Sequence, residues 1–181
     1  MIIEEEKIIK DGSEIVLRCA RADEAEMVLK GFIRVSGETR FLVGEPDEIK
    51  LTVEQEREFI EGSNSNDKKL LLLAFVDGRY AGNCRFDGKT ATRKFAHRAS
   101  LGIALLQEFT GRGLGGIMLE KLLAVAKEKG YEQMELTVYS ENIRARKLYK
   151  RLGFKECGAI PDAVKFSDGT TCDEIYMYKK L

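Results

Sequence analysis

Residues 111–116 read Gly-Arg-Gly-Leu-Gly-Gly, and the run that follows puts Leu114, Ile117, Met118, Leu122 and Val125 on one helical stripe. The residues before the turn, up to Leu106, read as a strand. A glycine-rich turn between a strand and a helix commits the chain to a mixed α/β architecture. It also implies a particular surface. The first turn of a helix leaves backbone N–H groups without partners, and its dipole favours negative charge there. Glycines let a backbone approach an anion closely and adopt conformations closed to other residues. Together these make a phosphate cradle.

The rest of the composition narrows the possibilities. At 181 residues the chain has the usual size of one domain and can bury a core. Thirty basic residues balance thirty acidic ones, so nothing in the overall charge signals a nucleic-acid or membrane partner. The charge runs at 4–6 and 179–180 read as solvated ends. Residues 1–10 lack the apolar run of a secretion signal, and no stretch approaches the roughly 18 apolar residues of a membrane span. The expected location is the cytoplasm. Cys19, Cys84, Cys157 and Cys172 contain no C-x-x-C pair, and the single histidine, His97, cannot complete a zinc cluster alone. Reduced thiols and no metal are expected.

Local signals mark the remaining elements. Residues 15–19 form a strand candidate after the Asp11-Gly12 turn, and Ala25, Val28, Leu29 and Phe32 give 22–32 a helical spacing. Residues 35–50 read as a loop. Thr52 and Gln55 form a capping box that opens a helix ending near Gly62, and 62–68 (GSNSNDK) reads as a flexible connection. From Lys69 the pattern changes. Residues 70–76 and 79–86 flank Asp77-Gly78, a pair suited to a tight β-hairpin turn. Residues 95–106 are a further strand, 113–130 a helix, 134–138 a strand and 143–152 a helix. Gly153-Phe154 leads into another strand, and Asp168-Gly169 turns into a last one over 173–178. There is no repeat, low-complexity tract or linker. A single domain over 1–181 is expected, with a helical part at about 1–68 and a core at about 69–181 carrying the cradle.

Gly111, Gly113 and Gly116 formally satisfy the dinucleotide pattern G-x-G-x-x-G, but that pattern needs glycine directly after its strand. Five residues, 107–111, follow Leu106 before Arg112. Gly88-Lys89-Thr90 imitates the end of a phosphate loop, yet the upstream glycine would have to stand at Asn83, so a hairpin turn is expected. A third reading covers far more of the chain. Residues 101–116 (LGIALLQEFTGRGLGG) resemble the acetyl-coenzyme A signature of the GNAT superfamily of N-acetyltransferases, whose core is Q/R-x-x-G-x-G/A. Here that core is Thr110-x-x-Gly113-x-Gly115, with threonine replacing the usual Gln or Arg. Asn142, Ala145, Leu148, Tyr149 and Gly153-Phe154 match the family's N-x-x-A-x-x-L-Y-x-x-x-G-F ending.

The resemblance implies an α/β fold of the α+β type. It would be a mixed, largely antiparallel, twisted sheet of about seven strands with helices on both faces. It implies a splay between two central strands near Leu105 and Val138 that admits acetyl-coenzyme A. Leu105 and Leu106 would flank the pantetheine arm, and the backbone of Thr110, Gly111, Arg112, Gly113, Leu114 and Gly115 would meet the diphosphate. Asn142 would contact the coenzyme as well as cap its helix. Tyr149, on the same helix face as Asn142, would lie at the coenzyme sulfur and protonate the leaving thiolate. The partner would be a small-molecule or peptide amine, attacking directly, and a homodimer is a common assembly.

A general base is harder to assign. Alternation places His97, Ala99, Leu101, Ile103 and Leu105 on one strand face. Where some relatives carry a base glutamate this chain has Ala99, which leaves His97 or an ordered water. An α-amine, with a pKa of about 7.7–8.0, needs less help from a base than a lysine amine near 10.4. Residues 93–101 (RKFAHRASL), with Gly169, Asp173 and Met177, resemble branches acting on free amino acids or protein N-terminal residues. Asp173 is either a contact for the amine or a structural turn residue. A coenzyme-binding module without chemistry and a nicotinamide-dependent oxidoreductase stay open as alternatives.

Overall fold

The computed structural model describes residues 1–89 and 92–181. Thr90, part of the phosphate-loop imitation weighed above, lies outside the described residues. In chain order the elements are β1 (Glu6–Lys10), β2 (Ser13–Cys19), α1 (Ala25–Glu38), α2 (Val53–Asn64), β3 (Lys69–Val76) and β4 (Arg79–Gly88). There follow β5 (Arg98–Leu105), α3 (Leu114–Glu128), β6 (Gln133–Tyr139), α4 (Ile143–Arg151), β7 (Lys155–Lys165) and β8 (Thr171–Lys180). The strands make one eight-stranded sheet in the order β1-β2-β3-β4-β5-β6-β8-β7, antiparallel throughout except for β5 and β6.

The single parallel pair explains α3. Parallel neighbours cannot be joined by a tight turn, so the chain must cross over, and a helix is the usual crossover. Antiparallel neighbours close through two-residue turns instead. Asp11-Gly12 and Asp77-Gly78 both take positive φ, as such hairpins require.

Strand alternation sorts side chains onto two apolar layers. Leu70, Leu72 and Ala74 of β3 join Cys84, Phe86, Met118, Leu122, Met134, Leu136 and Tyr149 in the larger core, under α3 and α4. Leu71, Leu73 and Phe75 point the other way, onto Ala25 and Val28 of α1 and Ile60 of α2. Helices therefore cover both faces.

Four boundaries differ from the sequence reading. β1 makes an eighth strand where charge had suggested a solvated end; it is an edge strand on which Lys7 faces water while Glu6 and Lys10 are half-buried. α1 runs on to Glu38 because Val35 and Ser36 are buried, so tertiary packing overrides the loop signals there. Residues 62–64 belong to α2, and Asn64 donates to the Ala20 carbonyl at 2.8 Å. Phe95 and His97 lie in a turn that ends where β5 begins at Arg98. Lys179 also leaves the solvated end assigned to it, since its ammonium caps α4 by donating to the Leu152 carbonyl at 2.7 Å.

Candidate active site

β5 and β6 are paired only at Arg98, Ala99 and Ser100, opposite Gln133, Met134 and Glu135. Beyond that point each strand keeps its other neighbour, β5 with β4 as far as Leu105 and β6 with β8 as far as Tyr139. The two strands part like a V. One open edge runs from Leu101 to Leu105, about 17 Å of backbone past the vertex at Ser100, and ends at the glycine-rich turn. The turn is held close to the sheet by Gly82, at φ +147, where any Cβ would strike the Ala104 carbonyl oxygen. The Leu106 N–H donates to the Ala81 carbonyl just beyond.

Within the turn, Gly111 (φ +79) and Gly113 (φ +81) take the left-handed conformation that favours glycine. Gly113 is the N-cap of α3. The first N–H of this region to find an acceptor is that of Gly116, which donates to the Gly113 carbonyl at 3.1 Å. Consecutive N–H groups from Gly111 through Arg112, Gly113 and Leu114 to Gly115 donate to nothing among the described residues. Thr110 differs from the expectation. Its N–H already serves the Gln107 carbonyl at 3.0 Å, and its hydroxyl donates to the same oxygen at 2.8 Å. The cradle's unspent donors therefore begin at Gly111. A Cβ at Gly115 would already touch Leu148 of α4 and Leu105 and Ile103 of β5, at 3.3, 3.4 and 3.7 Å, so a bulky side chain there would have to displace them.

α4 presents the remaining predicted residues. Asn142 caps it, its side-chain oxygen accepting from the Ala145 N–H at 3.1 Å. Tyr149 is 7% exposed, packed edge-on against Phe154 with ring centroids 5.8 Å apart. Its hydroxyl has no hydrogen-bond partner among the described residues. Burial, reinforced by the neighbouring Cys84, pushes its pKa up to about 12. Tyr149 is thus a neutral donor at any physiological pH.

His97 is not brought to this group. It lies in the turn before β5, about 10 Å along the chain from the vertex. The paired residues Arg98, Ala99 and Ser100 stand between it and the open cleft. Its carbonyl is fixed by the N–H groups of Glu132 and Gln133, at 2.9 and 3.2 Å. Asp173 is also occupied, accepting from the Asp162 N–H at 3.1 Å in the irregular part of β7.

A cavity of about 440 Å³ opens beside Tyr139, at the wide end of the V. Its walls come from the loop after α1 (Arg40, Glu45, Glu48) and from the β7–β8 turn (Lys165, Phe166). Arg40 lies 3.5 Å over the Phe166 ring, donates to Thr170 Oγ1 at 2.9 Å and stands 3.8 Å from both Glu141 and Asp168. Sequence reading missed Arg40, because its partners lie about a hundred residues or more further along the chain. No group of His, Cys, Asp and Glu side chains able to hold a metal is found among the described residues. No helix of the described residues is long and apolar enough to cross a membrane.

Residues 38–154, well over half of the chain, match the model of the acetyltransferase (GNAT) family. The chain belongs to this family. A crystal structure of a GNAT family acetyltransferase from Streptococcus pneumoniae superposes with a TM-score of 0.87 at 28% identity, covering 92% of this chain and 99% of that one. A putative acetyltransferase from Salmonella typhimurium, solved with its cofactor acetyl-coenzyme A, shares the fold at a TM-score of 0.80 and 19% identity, over 92% of this chain and 94% of its own. Among curated relatives, an L-amino acid N-acetyltransferase of Escherichia coli strain K12 is 28% identical over 107 residues, 59% of this chain and 65% of that protein. The chain spans less than two thirds of the length of the curated relatives it matches.

Proposed function

We propose that this GNAT acetyltransferase moves an acetyl group from acetyl-coenzyme A onto the α-amino group of an amino acid or of a peptide N-terminal residue. One observation carries the reading: the cleft between β5 and β6 leads straight into a turn whose N–H groups from Gly111 to Gly115 are unspent. A diphosphate fits those donors, since it is anionic and the N-terminus of α3 favours anions. The parted edge of β5, from Leu101 to Leu105, suits an extended amide-bearing arm laid alongside it like an added strand. Leu106 lies at the mouth of that edge, and Asn142 supports the opposite wall from α4.

The thioester of the coenzyme supplies an acetyl carbon activated for attack. The amine nitrogen forms the new C–N bond there, the C–S bond breaks, and the sulfur leaves with the electron pair. Tyr149 stabilises that sulfur as a hydrogen-bond donor, and the departing thiolate takes up its proton from water. With a tyrosine pKa near 12 and a thiol pKa near 8.5, complete transfer within the site is uphill by roughly 5 kcal/mol. Donation of a hydrogen bond to the developing charge is therefore the larger share of its role. The ammonium proton of the acceptor leaves to water. Ala99 is buried in the paired part of the strands, and His97 is outside the cleft, so neither contributes a base. An amine already partly neutral near pH 8 needs none. The cavity beside Tyr139 would hold the acceptor, and the curated amino-acid relative supports that class.

The test is release of free coenzyme A across free amino acids, short peptides with varied N-termini, polyamines and aminoglycosides, with the protein thiols subtracted. Turnover confined to α-amines supports the reading. Tight coenzyme binding with no turnover on any amine would favour a non-catalytic module, and tight binding of NAD in place of coenzyme A would reject the proposal.

A further inference from the structure

Three cations gather around the glycine turn. The Lys10 ammonium, carried by the β1–β2 hairpin, comes within 2.7 Å of where a Cβ on Gly113 would stand. Arg144, in the first turn of α4, reaches across to donate to Thr110 Oγ1 at 2.6 Å. Arg112 is exposed in the turn itself. None of the three has an ion-pair partner among the described residues. Further along the same helices, Lys121 of α3 pairs with Glu6 at 2.7 Å, and Arg146 and Lys150 of α4 share Glu156 at 2.9 and 3.1 Å, so those three are held away from the turn by carboxylates.

The position of Lys10 is electrostatically unfavourable as it stands. A helix N-terminus carries partial positive charge, so an ammonium above Gly113 is repelled by the dipole. An anion placed between them would turn that repulsion into attraction on every side. Glycine at 113 is what lets the ammonium come so near, since a side chain there would displace it.

We infer that Lys10 and Arg144 clamp the coenzyme's diphosphate from opposite sides of the turn, Lys10 over Gly113 and Arg144 over Thr110. Arg144 thereby supplies from α4 the long polar side chain that Thr110 lacks. Lys10 brings in the N-terminal hairpin, a part of the chain remote in sequence from the glycine turn. The inference rests on the coenzyme reading above, and binding measurements separate the two.

Affinity for acetyl-coenzyme A is measured by calorimetry for the full chain at low and high salt. The variants are Lys10→Ala, Lys10→Arg, Arg144→Ala and, as a control of equal charge change on the same strand, Lys7→Ala. Lys7 is exposed, and its one ion-pair partner among the described residues is Glu5, at 3.7 Å. Lys10→Ala and Arg144→Ala should each weaken binding about tenfold, with a shallower salt dependence. Lys10→Arg should bind nearly as wild type, and Lys7→Ala should be unchanged. The Lys10→Ala loss should persist when the ligand is 3′-dephospho-coenzyme A. Wild-type affinity in Lys10→Ala, or an equal loss in Lys7→Ala, would overturn the clamp while leaving the coenzyme reading intact. Disappearance of the loss with the dephospho ligand would overturn the diphosphate assignment. Failure of the wild-type chain to bind acetyl-coenzyme A would overturn both.

Discussion

The two sides of the cleft are built in different ways. The β5–α3–α4 side relies on backbone: left-handed glycines, a helix N-terminus, a parted strand edge, and apolar residues such as Leu105, Leu148 and Gly115 in close contact. The Tyr139 side relies on charged side chains from two exposed segments, joined by contacts such as Arg40 with Asp168 and Ser167 with Glu45. Backbone donors are placed by the fold, so they suit a ligand common to many related chains. Side chains on loops can be exchanged without disturbing the sheet, so they suit an acceptor that differs from chain to chain.

That contrast can be broken by substitution. The largest effect should come from Tyr149→Phe. Losing a donor at the leaving sulfur should lower kcat by about a hundredfold, while coenzyme affinity and Tm stay near wild type because the hydroxyl has no partner to lose. An unchanged kcat would remove Tyr149 from the chemistry. Next is Gly115→Leu, which should weaken coenzyme binding by more than tenfold, because the site where α3, α4 and β5 meet has no room for the side chain. Its amine KM should change far less. Arg40→Ala should do the reverse, raising the amine KM about fivefold with coenzyme affinity unaltered. If both variants moved both constants together, the division into two sides would fail.

The pH dependence sharpens the same picture. Activity should rise with the neutral fraction of an α-amine, around pH 7.7–8.0, with no fall up to pH 10 from Tyr149. Stability carries the opposite sign. Tyr149 and Tyr80 are both pushed up to about 12, chiefly by burial, whereas tyrosines of the unfolded chain ionise near 10. Stability from these groups is full below pH 10 and is lost between about 10 and 12, because the unfolded chain gives up its protons first. Thermal melts across that window check it, and Tyr149→Phe should flatten part of the decline. The smallest effect belongs to His97→Gln, which should leave kcat/KM within about twofold. A large loss would return the histidine to the cleft.

What could be read in advance follows from the same physics. The glycine turn, the Thr52–Gln55 capping box and the Asp-Gly hairpins are local, so neighbouring residues announce them. The strand through residues 95–106 was legible in its apolar half only, since nothing local marks where the turn around His97 yields to Arg98. β1 escaped notice because an edge strand can afford charged residues. Arg40 and Lys10 were invisible for a different reason: what gives each a role is a partner far away in sequence, Phe166 for one and Gly113 for the other.

The parting of β5 from β6 has one more consequence. Along Leu101–Leu105 alternate amides face a gap where the next strand would ordinarily be. In the free protein those amides have no partner strand on that side and should trade their hydrogens for deuterium quickly, despite lying in the middle of the sheet. An occupant of the gap would seal them. Deuterium uptake confined to this strip thus becomes an occupancy gauge that needs no turnover, and it can rank coenzyme analogues before any acceptor is known.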